Sequence, residues 1–173
     1  MSSIVANSPT DGPPLLAAGG LSHGAHIASF LTLGAAGAAL GTRFLLTPES
    51  LYTDAQKQAL IAANDSSTVR TLAFDRARGT LSWPSGIDGR ALFNDTVKDD
   101  DKGVSIVEIK RKFTAGVANN DAHRMLVWAG MGVGLMSVIK DAKVSRSMMQ
   151  AIASDIPAVR LWSKNCIKRS WNG

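Results

Sequence analysis

Residues 14–42 read PLLAAGGLSHGAHIASFLTLGAAGAALGT and contain no aspartate, glutamate, lysine or arginine. The first five, Pro14 to Ala18, form a short apolar run that stops at Gly19-Gly20. Such a run suits a strand buried on both faces, as parallel strands are. Ser22 is placed to cap the segment that follows, and between His23 and Leu33 the residues Ile27, Phe30, Leu31 and Leu33 mark one apolar helical face. Gly34 is a helix stop. Ala35 to Leu40 is again short and apolar, and it too ends on a glycine, Gly41, followed by Thr42. Strand, helix and strand, each strand with glycine at its C-terminal end, make a parallel βαβ unit with a right-handed crossover. A membrane helix is excluded: it needs about 20 predominantly apolar residues, and this stretch is broken by Gly19, Gly20, Gly24, Gly34, Gly37 and Gly41 and by Ser22, His23 and His26.

The surrounding chain adds further elements. Met1 to Pro14 has no basic residue and no long apolar core, so it does not read as a secretory signal. After Thr47-Pro48-Glu49-Ser50 the spacing predicts a helix over about Leu51 to Ala63, capped by Thr47 or Ser50. A turn at Asn64 to Thr68 and a strand from Val69 to Phe74 follow. Residues 75–103 read as loop-rich, and Val104 to Phe113 as a helix or a strand. Met125 to Ala129 leads into Gly130-Met131-Gly132-Val133-Gly134, and an amphipathic helix is predicted over about Leu135 to Ile156, ended by Pro157. There is no internal repeat.

All 173 residues suffice for one sizeable core, but not for a complete (β/α)8 barrel, which takes about 250 residues. The single cysteine, Cys166, excludes an intramolecular disulfide framework and a multi-cysteine zinc site, and it points to a reducing, cytoplasmic setting. The net charge of +5 is lopsided: Arg160, Lys164, Lys168 and Arg169 account for four of those charges with no acid between Arg160 and Gly173. That segment reads as a solvated basic tail rather than a nucleic-acid or membrane patch.

The chemistry-bearing feature is the pair of glycine-ended strands. A glycine there lets backbone N–H groups approach a ligand, because no Cβ stands in the way. Two neighbouring parallel strands ending this way share one pocket. In it, backbone N–H groups of both loops and the Thr42 hydroxyl suit a phosphate, as do the paired phosphate loops of barrels and the helix N-termini beside them. The same spacing also suits glycines that merely pack a βαβ unit.

The residues carry a resemblance. Pro14-Leu-Leu-Ala-Ala-Gly-Gly-Leu21, Gly34-Ala-Ala-Gly and Leu40-Gly-Thr-Arg-Phe-Leu-Leu-Thr-Pro-Glu49 together resemble the nitronate monooxygenase family, formerly called 2-nitropropane dioxygenases. Downstream, Arg70-Thr71, Gly89-Arg90-Ala91 with Asn94, and Trp128-Ala-Gly130 with Gly132-Val-Gly134 are similar to later motifs of the same family, in the same order. The resemblance runs from about Pro14 to Ile156. It implies an α/β fold, part of a (β/α)8 TIM barrel comprising its last strands, with an additional mainly helical segment. The implied organisation is a short N-terminal segment at 1–13, the last barrel βαβ unit at 14–50, and a helical, loop-rich insertion at 51–127. A return to the barrel with a final helix at 128–157 and the basic tail at 158–173 complete it.

The resemblance implies FMN as cofactor, with Gly19, Gly20, Ala39, Leu40, Gly41 and Thr42 holding its phosphate. Leu40 stands where methionine is common, a conservative change for a backbone contact. Arg43 and Phe44 follow the motif and suit packing. The implied reaction is oxidation of an alkyl nitronate with molecular oxygen. The family's early barrel strands and catalytic histidine precede the Ala-Ala-Gly-Gly strand, so no catalytic residue is assigned here and the chain reads as the C-terminal half of a larger enzyme. The implied partners are a small nitronate or nitroalkane and oxygen, with a second copy or the other barrel half along the open edges, and neither nucleic acid nor membrane. Two other readings stand beside this one: a phosphate- or FMN-holding barrel fragment without turnover, and half of another barrel such as one resembling IMP dehydrogenase.

The remaining candidates are weaker. His23 and His26 follow the glycine loop, where the family usually has Asp-Gly and a small residue. Each is a poor candidate for a catalytic base, and as a metal pair they lack an obvious third ligand. His123 reads as a surface or packing histidine. Cys166 has no paired histidine. The run Asp99–Asp101, beside Lys98 and Lys102, reads as a solvated loop. Trp128 reads as core, with a place near a flavin pocket as the alternative, and Gly130–Gly134 either approaches the flavin or forms a tight turn.

Overall fold

In the computed structural model, which describes residues 12–143, β1 (Leu16–Ala18) and β2 (Gly37–Ala39) pair in parallel, with Leu16 opposite Gly37, Ala17 opposite Ala38 and Ala18 opposite Ala39. The connection between them is α1 (Gly24–Thr32). The βαβ unit predicted from the glycine spacing is present, and the fold is α/β. Its helix ends where the sequence indicated: Gly34 has φ +96°, the Gly34 N–H donates to Leu31 O at 3.0 Å and the Ala35 N–H to Phe30 O at 2.9 Å. This is the Schellman pattern, in which a residue of positive φ lets the chain fold back over the last turn. β1 alternates, with Ala17 4% exposed and Leu16 65% exposed. Ala17, Leu21 and Ala35 are buried together, with Phe30, Ala38 and Leu40 packed against them. After β2, one helical turn, α2 (Thr42–Leu45), closes the segment.

The described residues separate into two compact units: 12–49 with 140–143, which carries β1 and β2, and Ser50–Ile139. The second unit opens with α3 (Asp54–Ala62), which starts later than the predicted Leu51 because its cap is Thr53 rather than Thr47 or Ser50. The Thr53 hydroxyl accepts the Gln56 N–H at 3.3 Å and the Gln56 side chain accepts the Thr53 N–H at 3.0 Å, a reciprocal capping box. β3 (Thr68–Thr71), α4 (Ala73–Arg78) and β4 (Gly89–Leu92) follow, with β3 and β4 antiparallel. The strand predicted to reach Phe74 stops at Thr71, because Phe74 is needed as a fully buried helical side chain with Ala73, Ala91 and Val97.

Residues 75–103, read as loop-rich, hold most of α4, all of β4 and all of α5 (Asp95–Asp101). The acidic run at the end of α5 is not a solvated loop. Asp99 pairs with Arg124 at 2.5 Å and with Lys112 at 3.1 Å, and Asp100 pairs with Arg76. These cations offset the unfavourable placing of acids at a helix C-terminus. Lys98, the neighbouring cation, pairs with Asp95 at 2.9 Å. The segment at 104–113 resolves as helix within α6 (Ile106–Ala118), whose first turn is capped by Ser105.

The helix predicted from Leu135 does not begin there. Met131–Leu135 is a 3-10 turn with Val133 fully buried, and Met136 leaves it in an extended conformation. The rest of that predicted helix beyond residue 143 lies outside the described residues, as do Cys166 and the basic tail. Among the described residues no helix is long and apolar enough to cross a membrane.

Candidate functional site

The parallel register decides what the two glycine loops can do together. Ala18 and Ala39 are partners at the ends of β1 and β2. Gly19-Gly20 and Leu40-Gly41-Thr42 therefore leave the sheet side by side at the same, C-terminal end. Gly19 and Gly20 have φ of +87° and +71°, a region where L side chains are strained, so two successive glycines are what this turn requires. A Cβ built at Gly19, Gly20 or Gly41 meets no heavy atom within 4 Å. The space beside all three backbones is open.

The side chains around the loops anchor them. Leu21 and Ser22 are 6% and 3% exposed and draw the first loop back into the unit after its two glycines. Leu40 packs on the cluster of Ala17, Leu21 and Ala35, so its contribution to a ligand is confined to the backbone. Arg43, which follows the second loop, turns inward: it is 6% exposed and its Nη2 donates to Leu46 O at 3.0 Å. Its packing role is borne out.

His26, weighed as a base or half of a metal pair, has a local partner that sequence reasoning missed. Its Nδ1 lies 3.2 Å from the Ser22 N and 3.4 Å from Ser22 Oγ, so the ring accepts from the Ser22 N–H and is neutral, with its proton on Nε2. Burial, and then the charge of His23, hold its pKa below the ordinary imidazole value. The two rings lie 4.2 Å apart, centroid to centroid. The spacing of Ser22 and His26, one helical turn, was the available signal.

The donor set of the loops suits an anion. It consists of backbone N–H groups and the Thr42 hydroxyl, and no carboxylate occurs from Pro13 to Thr42 to repel a phosphate.

The downstream motif residues build the second unit. Arg90 donates to Thr68 Oγ1 at 3.2 Å. The Asn94 side chain caps α5 by accepting the Thr96 N–H at 3.0 Å and donates to Met125 O at 2.9 Å. Thr71 Oγ1 accepts the Ala73 N–H at 3.0 Å. Trp128 packs against the Phe74 cluster, which bears out its core role, and its N–H donates to the Tyr52 hydroxyl at 2.8 Å. Burial pushes the Tyr52 phenol up to about 12, against the lowering by its bond to the Trp128 backbone. Gly130–Gly134 forms the tight turn. His123 is exposed, and its N–H donates to Asp121 at 2.9 Å.

The family model described as nitronate monooxygenase matches residues 4–146. The nitronate monooxygenase npaC of Metarhizium robertsii is 35% identical over 158 residues, 85% of this chain and 44% of that protein. A nitronate monooxygenase of Neurospora crassa is 30% identical over 143 residues, 82% of this chain and 37% of that protein. Among solved structures, the nitroalkane oxidase of Streptomyces ansochromogenes superposes with a TM-score of 0.65 at 28% identity, over 84% of this chain and 40% of that one. The chain thus spans less than half the length of these relatives.

Proposed function

The chain belongs to the nitronate monooxygenase family, and we propose from that premise that its two glycine loops hold the phosphate of FMN in an oxidoreductase that oxidises alkyl nitronates with molecular oxygen. One observation carries the reading. Two parallel strands end side by side on Gly19-Gly20 and Gly41-Thr42, with open space beside the glycines and no acid in either loop.

The parts then divide as follows. Gly19 and Gly20 offer backbone N–H groups from the first loop. Ala39, Leu40 and Gly41 offer the backbone of the second, and Thr42 adds its hydroxyl. Leu21 and Leu40 pack on the inner side of the loops and hold their backbones, and each N–H bond to the phosphate is charge-assisted. FMN, when bound, supplies the redox chemistry. The share of this chain is to fix the cofactor's phosphate end.

The same reading takes 14–50 as the last βαβ unit of a (β/α)8 barrel, 51–127 as an inserted helical region and 128–157 as the return to the barrel. Further barrel strands then cover the outer edges of β1 and β2, whose unpaired backbone groups would otherwise invite association.

Titration of FMN into the full chain tests the reading. The expected result is saturable quenching of flavin fluorescence, competed by inorganic phosphate, with oxygen uptake on addition of a nitronate. Absence of saturable FMN binding overturns the site. Binding without nitronate-dependent oxygen uptake leaves a flavin-holding role and removes turnover by this chain.

A further inference from the structure

A second candidate site lies within Ser50–Ile139 and is independent of the phosphate loops. Asp75, in the first turn of α4, is 3% exposed. Its Oδ1 accepts from Thr80 Oγ1 at 2.9 Å and from the Trp83 indole Nε1 at 3.2 Å. Its Oδ2 is buried and has no hydrogen-bond partner among the described residues. Buried carboxylate oxygens are ordinarily satisfied, and this one belongs to a side chain that lines a cleft of about 300 Å³. The other walls are Trp83, Ile87, Asp88, Gly89 and Trp128. Gly89 is required there, because a Cβ would clash with the Trp128 indole ring. Asp88 is already engaged, with Oδ1 2.5 Å from Arg70 Nε. The buried carboxylate oxygen without a partner is therefore Asp75 Oδ2.

We propose that this cleft binds a small organic ammonium ion, drawn by the Asp75 carboxylate and held among the indole rings of Trp83 and Trp128. Indole rings attract cations through the negative potential over their faces. A bound N–H donor also gives the carboxylate a partner that the protein does not supply. A neutral ligand or a lone water meets mostly apolar wall, and a buried water needs two to four polar partners. The donor set does not suit a metal ion: among the described residues no three histidine, cysteine or acidic groups are gathered to hold one, and a hard cation takes six or more oxygens. Trp83 is 58% exposed, which leaves the cleft reachable from solvent.

The test follows the indole N–H resonances of the full chain by NMR as benzylammonium chloride is added, with benzyl alcohol as the uncharged control. The Trp83 resonance is assigned by its loss in Trp83→Phe. Benzylammonium is expected to shift the Trp83 and Trp128 resonances saturably, and benzyl alcohol to leave them in place. Asp75→Asn keeps a carbonyl oxygen to accept from Thr80 and Trp83 but removes the charge, and it is expected to weaken binding about tenfold or more. Trp83→Leu, at an exposed position, is expected to weaken it as well and serves as the second variant should Asp75→Asn not fold. No saturable shift up to about 10 mM cation, an equal response to benzyl alcohol, or unchanged affinity in a folded variant overturns the proposal.

Discussion

Aspartate at position 41 separates charge from backbone at the proposed phosphate site. Gly41 has φ −104°, a value open to any L-residue, and its Cβ direction is empty to 4 Å. Gly41→Ala, Gly41→Asn and Gly41→Asp are therefore expected to fold alike. A phosphate monoester carries about −1.5 to −2 charges at neutral pH. With a carboxylate about 5 Å from it, repulsion amounts to about 1 kcal/mol under full water screening, and about 5 kcal/mol at the effective dielectric of a site the ligand has closed. Gly41 lies at the surface, so the low end sets the floor: FMN affinity falls at least about fivefold in Gly41→Asp relative to Gly41→Asn. Flavin fluorescence quenching measures both, and added salt is expected to narrow the gap because exposed charges are screened. Equal affinities in the aspartate and asparagine variants would refute the placement of the phosphate beside Gly41.

Three other outcomes follow from the geometry. Gly89→Ala forces a methyl into the Trp128 ring and is expected to destabilise the fold by about 1–3 kcal/mol, read by denaturant unfolding; an unchanged midpoint would show that Trp128 moves freely. Tyr52 is the only tyrosine of the chain, so tyrosinate absorbance reports it alone. The transition is expected near 12 rather than 10. Because the folded state holds the phenol proton more tightly than the unfolded chain, stability falls as pH rises through that interval. His26 is expected to titrate below 6.5, chiefly from burial and secondarily from His23. Its contribution to stability is then present above about pH 6.5 and lost as pH falls toward its folded value. An NMR midpoint at or above the ordinary value, or one that His23→Gln fails to raise, would contradict that assignment.

How far each feature was legible depends on how local its cause is. The βαβ unit was readable because strand ends, helix stop and turn all depend on glycines a few residues away, and Gly19, Gly20 and Gly34 all take positive φ. That Gly19 and Gly20 lie beside Ala39, Leu40, Gly41 and Thr42 at two neighbouring strand ends was readable for the same reason. The acidic run was misread because its partners, Lys112 and Arg124, lie 13 and 25 residues along the chain from Asp99, beyond any window of local spacing. The α4 helix was missed because its first turn depends on burial of Phe74, a tertiary contact that outweighs the weak alternation of Val69 to Phe74. The role of Asp75 left no local signal at all: Thr80 and Trp83, its partners, sit in a stretch whose Pro84 and Gly86 read only as loop.

These outcomes also apportion the weight of the resemblance. Its later motif residues, Thr71, Arg90, Asn94 and Trp128, bond to neighbouring backbone and side-chain groups or fill the core of Ser50–Ile139. At those positions the residues serve the fold of this unit, so likeness there carries little weight for a substrate. Gly19 and Gly20 differ, because the direction their Cβ atoms would take is open space, and packing explains neither that opening nor its repetition at Gly41. The backbone turn explains why the first two are glycine. It does not explain Gly41, whose φ any residue accepts. On the proposed phosphate site, Gly41 is the position at which a ligand, rather than the fold, would supply the reason for having no side chain, and a folded Gly41→Asn variant that binds FMN as well as the native chain would remove that reason.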